Sequence, residues 1–207
     1  MKRLKTILLL LSLTLLALLP ARATAGETAA QFLNRAAATV NRAGGIKVDF
    51  SIKSGGKTYS GTLQTQGKMF HVSAPRSSTW YNGREMWTYS AASGETTLVT
   101  PSADEIRESN PLSYIHTGGN YNAAFAKSSP AGTKTLILTP KKKNSGIKQV
   151  KLTVKTSTML PTAIVVTPSS GQAVTLTVKS VKTKQRFPSS TFVYPKSKYK
   201  AKIIDLR

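Results

Sequence analysis

The stretch Ile46-Lys47-Val48-Asp49-Phe50-Ser51-Ile52-Lys53 sets an apolar side chain at every second position and a charged or hydroxyl-bearing one between. A period of two places Ile46, Val48, Phe50 and Ile52 on one face of a strand and the polar residues on the other. The strand is therefore oily on one side and wet on the other. The pattern continues downstream. Gly55-Gly56 turns the chain into a second strand, Thr58 to Gln66, and Gly67-Lys68 passes it to a third holding Phe70 and Val72. Trp80-Tyr81 and Met86-Trp87-Thr88-Tyr89 flank Asn82-Gly83, whose tolerance of positive φ predicts a type I′ hairpin. Further strands are expected over 96–100, 135–139, 147–155, 162–167 and 172–182, where Val, Ile and Leu alternate with Thr or Lys. The reading is mainly β, a meander of antiparallel strands.

Two departures from period two mark helices. Upstream, Phe32, Leu33, Ala36, Ala37 and Val40 recur at helical spacing between Thr28 and Ala43, with Gly44-Gly45 as a stop. Midway, Ser102-Ala103-Asp104-Glu105 reads as a capping box, and Asn110-Pro111 as an N-cap followed by proline at the first helical position. Leu112, Tyr114 and Ile115 give the second short helix an oily side, and Gly118-Gly119-Asn120 ends it. A sheet with one oily face and no second sheet of comparable size must bury that face under these helices.

Ahead of the first helix, Lys2, Arg3 and Lys5 precede an apolar run from Ile7 to Leu19, then Pro20 and the small-x-small patterns Ala21-Arg22-Ala23 and Ala23-Thr24-Ala25. This is the layout of a cleaved export signal, too short to span a bilayer comfortably. Residues 1–25 are read as the signal and 26–207 as one domain. The whole chain of 207 residues carries 30 Lys and Arg against 8 Asp and Glu, a net charge of +22. Removing the signal leaves 26 basic against the same 8 acidic residues, or +18. Such a surface favours anionic partners. The absence of cysteine excludes disulfides, thiolate metal sites, thiol nucleophiles and an amino-terminal lipidated Cys. His71 and His116 lie far apart with few acidic neighbours, so neither a metal nor a cofactor is expected.

Tyr59-Ser60-Gly61-Thr62-Leu63, Phe70, the run from Thr79 to Tyr89, and Asn110-Pro111-Leu112 resemble, in order, the LolA family of outer-membrane lipoprotein carriers. Leu138-Thr139-Pro140-Lys141, Leu160-Pro161, Phe192-Val193-Tyr194-Pro195 and the terminal Ile203-Ile204-Asp205-Leu206-Arg207 extend the likeness over nearly all of the domain. The resemblance implies a curved, unclosed antiparallel half-barrel of about eleven strands, with a few helices covering its concave face. It also implies a periplasmic carrier that accepts acylated lipoproteins from an inner-membrane ABC transporter, shields their acyl chains in a hydrophobic cavity, and delivers them to an outer-membrane acceptor. Many members carry an Arg in the hairpin between the second and third strands. Here the chain reads Gln64-Thr65-Gln66-Gly67-Lys68, and Lys68 is the nearest basic residue.

The large apolar residues on the early strands, Phe50, Leu63, Phe70, Trp80 and Trp87, are the candidate cavity lining, with Leu33, Leu112 and Ile115 as a lid. Each would serve equally as plain core, and sequence does not separate the two. Lys141-Lys142-Lys143 and the lysines between 179 and 202 read as solvated edges and loops that resist aggregation, or as transient contacts to anionic headgroups at a membrane surface. A non-carrier protein of the same fold that senses lipoprotein or lipopolysaccharide is the alternative. Nucleic acid is suggested by charge alone, and export argues against it. No nucleophile with a base, paired acid signature or phosphate loop points to an enzyme.

Overall fold

The computed structural model describes residues 26–116 and 119–207. The expected signal at 1–25 and the helix stop at Gly118 lie outside the described residues. Thr28 caps the first helix, α1 (Ala29–Arg42): its hydroxyl accepts from Gln31 N, and the Gln31 side chain accepts from Thr28 N. This reciprocal cap satisfies two of the amide donors a helix start leaves unpaired. Gly44 leaves the helix at φ +69°, a conformation open to glycine at little cost, and the chain enters the sheet.

The sheet is 12-stranded: β1 (Gly45–Ser54), β2 (Lys57–Gln66), β3 (Met69–Ala74), β4 (Ser77–Tyr81), β5 (Met86–Ser90), β6 (Glu95–Val99), β7 (Tyr121–Phe125), β8 (Thr133–Pro140), β9 (Ile147–Lys155), β10 (Pro161–Pro168), β11 (Val174–Gln185) and β12 (Lys202–Asp205). Its order is β12-β6-β5-β4-β3-β2-β1-β11-β10-β9-β8-β7, curved and unclosed. Two consecutive meanders, β1 to β6 and β7 to β11, are joined by the long antiparallel pairing of β1 with β11. That pairing carries a bulge between Asp49 and Phe50, which adds local twist and bend.

Three expectations are refined. The hairpin between β4 and β5 has a four-residue loop, because Tyr81 pairs with Met86 and Asn82 Oδ1 accepts from both Arg84 N and Glu85 N. A type I′ turn centred on Asn82-Gly83 would need positive φ at both, and only Gly83 takes it, at φ +98°. The segment after Asn110 is a 3-10 helix, Pro111–Ile115, whose Asn110 cap accepts from Leu112 N at 3.0 Å. The sheet also exceeds the expected count, through the short β7 and through β12, which pairs with β6 in parallel.

The parallel pairing has a topological cause. After β11 the chain crosses the convex side of the N-terminal half, through a second 3-10 helix at Ser189–Phe192, before reaching the β6 edge. Gln66 Oε1 accepts from Phe187 N at the start of this strap, and the strap's Tyr194 donates to Tyr199 O. Both β6 and β11 run antiparallel to β1, so a strap that crosses back from the end of β11 to the start of β6 delivers β12 parallel to β6.

Candidate functional site

The concave face is the oily face of the alternating strands. Ile46, Val48 and Phe50 on β1, Leu63 on β2, Phe70 on β3, and Leu136, Leu138, Val150, Leu152 and Ile164 on the second meander form one buried cluster with α1 and the mid-chain helices. Register fixes the shared face, since Val48 pairs with Leu63, Leu63 with Val72, and Phe70 with Tyr81. From above, α1 presses Phe32, Leu33, Ala36 and Val40 onto the sheet. Phe32 meets Phe125 edge-to-face at 5.8 Å, which ties α1 to β7. Leu112, Tyr114 and Ile115 of the first 3-10 helix are buried in the same cluster.

The second mid-chain helix, α2 (Ala103–Ser109), is held differently. None of its residues is fully buried. The Ser102–Glu105 capping box fixes its start, with Ser102 N donating to Glu105 at 2.7 Å. The Ser102 hydroxyl, donating to the same carboxylate at 2.7 Å, and then that backbone bond hold the Glu105 carboxyl below its ordinary pKa. Ser113 Oγ donates to Arg107 O and so connects α2 to the 3-10 helix.

The cover does not seal the trough. Beside the β2–β3 turn lies a cavity of about 380 Å³, lined among others by Val40, Ile46, Thr65, Lys68, Tyr81 and Leu112. Beneath the β9–β11 side lies an apolar one of about 260 Å³, lined by Ile52, Pro111, Tyr114, Ile164, Val166 and Leu176 among others. A polar hollow of about 510 Å³ adjoins it and shares Glu108, Tyr114 and Ile147. Between the two ends the trough narrows to a void of about 10 Å³ under Val40, Leu112 and Val181, which is no larger than one water. Burial pushes the Tyr114 hydroxyl up to about 12 and raises Tyr121, so both stay neutral in this lining. His116, at the mouth beside Lys68, is shifted down by burial.

The sequence-expected residues divide between the two faces. Phe50, Leu63, Phe70, Leu33, Leu112 and Ile115 belong to the concave cluster. Trp80 and Trp87 do not, which corrects the expectation that they share a lining with Phe70. Trp80 pairs with His71 and with Trp87, one residue out of step with the Phe70–Tyr81–Met86 row, so both indoles point to the convex side. There they pack with Leu98 and the strap's Tyr194, and Trp80 meets Tyr194 at 5.4 Å and Tyr199 at 5.2 Å. Tyr81 and Met86 take the inward places instead. Counting outward from Phe70 by pairs reaches them once the turn lengths are known. Aromatic size favoured the tryptophans because β4 is buried on both faces.

An inner apolar trough under short helices, with free volume at both ends, is the geometry of a binding or carrier fold. The match to known families runs the same way: residues 19–193 fit the model described as outer membrane lipoprotein carrier protein LolA, and the chain belongs to that family. A solved structure of an uncharacterized conserved protein from Thermus thermophilus shares the fold at 13% identity and TM-score 0.59, covering 86% of this chain and 99% of that one. A LolA superfamily protein from Nitrosomonas europaea aligns at 14% identity and TM-score 0.44, covering 82% and 99%. No curated protein matches the chain. Among the described residues no helix is long and apolar enough to cross a membrane.

Proposed function

We propose that this protein is a periplasmic carrier that binds the acyl chains of lipoproteins between its concave sheet face and its helical cover. It would take cargo from an inner-membrane releasing transporter and surrender it to an outer-membrane acceptor. The observation that carries the reading is the trough itself: apolar at its centre and under β9 to β11, incompletely filled at both ends, and pinched at the centre by Leu112. Each methylene withdrawn from water gains about 0.8 kcal/mol, so an acylated protein needs such a shield to cross an aqueous compartment. Neither end cavity alone holds several acyl chains. Lifting Leu112 and Ile115 off the concave face would join them, which makes the mid-chain helices the lid, closing beside Leu33 of α1, with the loosely held α2 as its moving part.

The test is to purify the exported protein with an acylated lipoprotein in the absence of detergent. The reading expects a soluble complex and much weaker binding of the same lipoprotein after deacylation. Equal affinity for both forms would show that the acyl chains are not what the protein holds.

A further inference from the structure

The strap covers the convex side from Gln66 on β2 to Leu98 on β6, packing chiefly on Trp80, Trp87 and Leu98. Across β1, β9, β10 and β11 the convex side is bare, and alternation against the buried inner residues places Lys47, Lys53, Lys151, Lys155, Lys179 and Lys182 on it. All but Lys47 are exposed. Lys47 stands directly opposite Lys182, a like-charge pair that weakens a sheet. Every ion pair among the described residues uses an arginine, so none of these lysines is neutralised. The one acid on this part of the face, Asp49, accepts from Ser180 Oγ at 2.6 Å. Threonines fill most of the places between, with Thr153 and Thr177 on either side of Ala163 and Val165 between Lys151 and Thr175.

We propose that this bare convex face docks the protein on the phosphate headgroups of an anionic bilayer. The chemistry separates that partner from others. Protein interfaces are built on aromatic and Arg anchors and are depleted in Lys, and single-stranded nucleic acid is held on aromatic platforms. This face offers neither anchors nor platforms. It offers mobile point charges above a hydroxyl-rich surface, which suits a diffuse layer of phosphates and gives salt-sensitive, reversible contact without insertion. The trough opens on the other side of the sheet, so docking by the back leaves the lid free for a protein partner. The proposal rests on the carrier reading only in placing the protein beside a membrane.

Cosedimentation of the exported protein with phosphatidylglycerol–phosphatidylcholine vesicles tests it. Binding should appear on these vesicles at low salt, vanish on phosphatidylcholine alone, and fall at least about tenfold in the combined variant Lys47→Gln, Lys53→Gln, Lys151→Gln, Lys182→Gln. Lys141→Gln, Lys142→Gln, Lys143→Gln removes charge from the β8–β9 turn instead and should cost much less. Equal losses in the two variants would overturn the proposal in favour of a non-directional effect of net charge. So would tight binding to a soluble polyanion without binding to vesicles. A second measurement does not depend on the combined variant folding. The chain has no cysteine, so a polarity-sensitive dye can be placed by Thr177→Cys on this face or Ser93→Cys on the far β5–β6 turn. Only the Thr177 dye should respond to anionic vesicles, and a response from Ser93 alone would place docking elsewhere. Lipoprotein solubilisation by the lysine variant should be unchanged. Its absence in the unsubstituted protein would count against the carrier reading and leave the docking result standing.

Discussion

Gly61 is small for a reason visible in one contact. A Cβ built there would sit 2.6 Å from the Phe50 ring, which lies across the neighbouring strand, and 2.7 Å from Ser73 O. Gly61→Ala should therefore cost about 1–3 kcal/mol in denaturant unfolding, because the ring must leave its place or the strands must separate. His71 makes a different kind of test. It stacks on Trp80 at 4.8 Å under the strap, its Nε2 has no hydrogen-bond partner, and burial together with Lys198 pushes its pKa down from 6.5 to about 4. The folded state thus favours the neutral ring. The unfolded chain binds a proton more readily below about pH 6.5, so the folded state loses stability as pH falls from there toward 4. After allowing for solvent at its open edge, the loss is about 1–2 kcal/mol. His116 is shifted in the same direction, so the measurement is a difference. Melting temperatures between pH 7 and 4 should fall less in His71→Phe than in the unsubstituted protein, and parallel curves would remove His71 from the account.

The elements differ in how they are held, and that difference was only partly legible in sequence. The body of α1 and its glycine stop, the Ser102–Glu105 box and the long strands β1, β2 and β9 follow directly from local pattern, because side-chain period and cap chemistry act within a few residues. The inward and outward assignment of β4 and β5 did not follow. Trp80 and Tyr81 are both buried, and parity across the loops on either side depends on turns whose length the sequence leaves open. The strap was visible only as the terminal Phe192-to-Tyr194 and Ile203-to-Arg207 likeness, since a non-local packing partner has no local signature. For α2 the consequence is mobility. With no fully buried residue, it should exchange its amide hydrogens faster than α1, which carries Phe32, Leu33 and Ala36 in the core. Removing the cap with Ser102→Ala should cost about 1 kcal/mol of local helix stability and speed that exchange further while leaving β1 untouched. Slower exchange in α2 than in α1 would mean the lid lies elsewhere.

At the scale of the molecule the sheet works on both sides. Strands β3 to β6 are buried twice, inward in the concave cluster and outward against the strap, which makes them the rigid wall on which the trough is built. Arg207 reinforces that wall by reaching Glu85 on the β4–β5 loop as well as Asp205. Trp80→Ala should therefore lower stability by about 3–5 kcal/mol through the convex cluster and leave acyl binding per folded molecule unchanged. Ile115→Ser on the lid should weaken cargo retention. Loss of binding in Trp80→Ala protein that remains folded would contradict this division of labour. The central claim is that acyl chains lie between the concave face and the helical cover, and site-directed photocrosslinking to an acylated lipoprotein tests it most directly. A photoreactive residue at position 115, inside the trough, should capture cargo, and one at position 151, on the bare convex face, should not. Capture at 151 without capture at 115, or equal capture at both, would contradict the account.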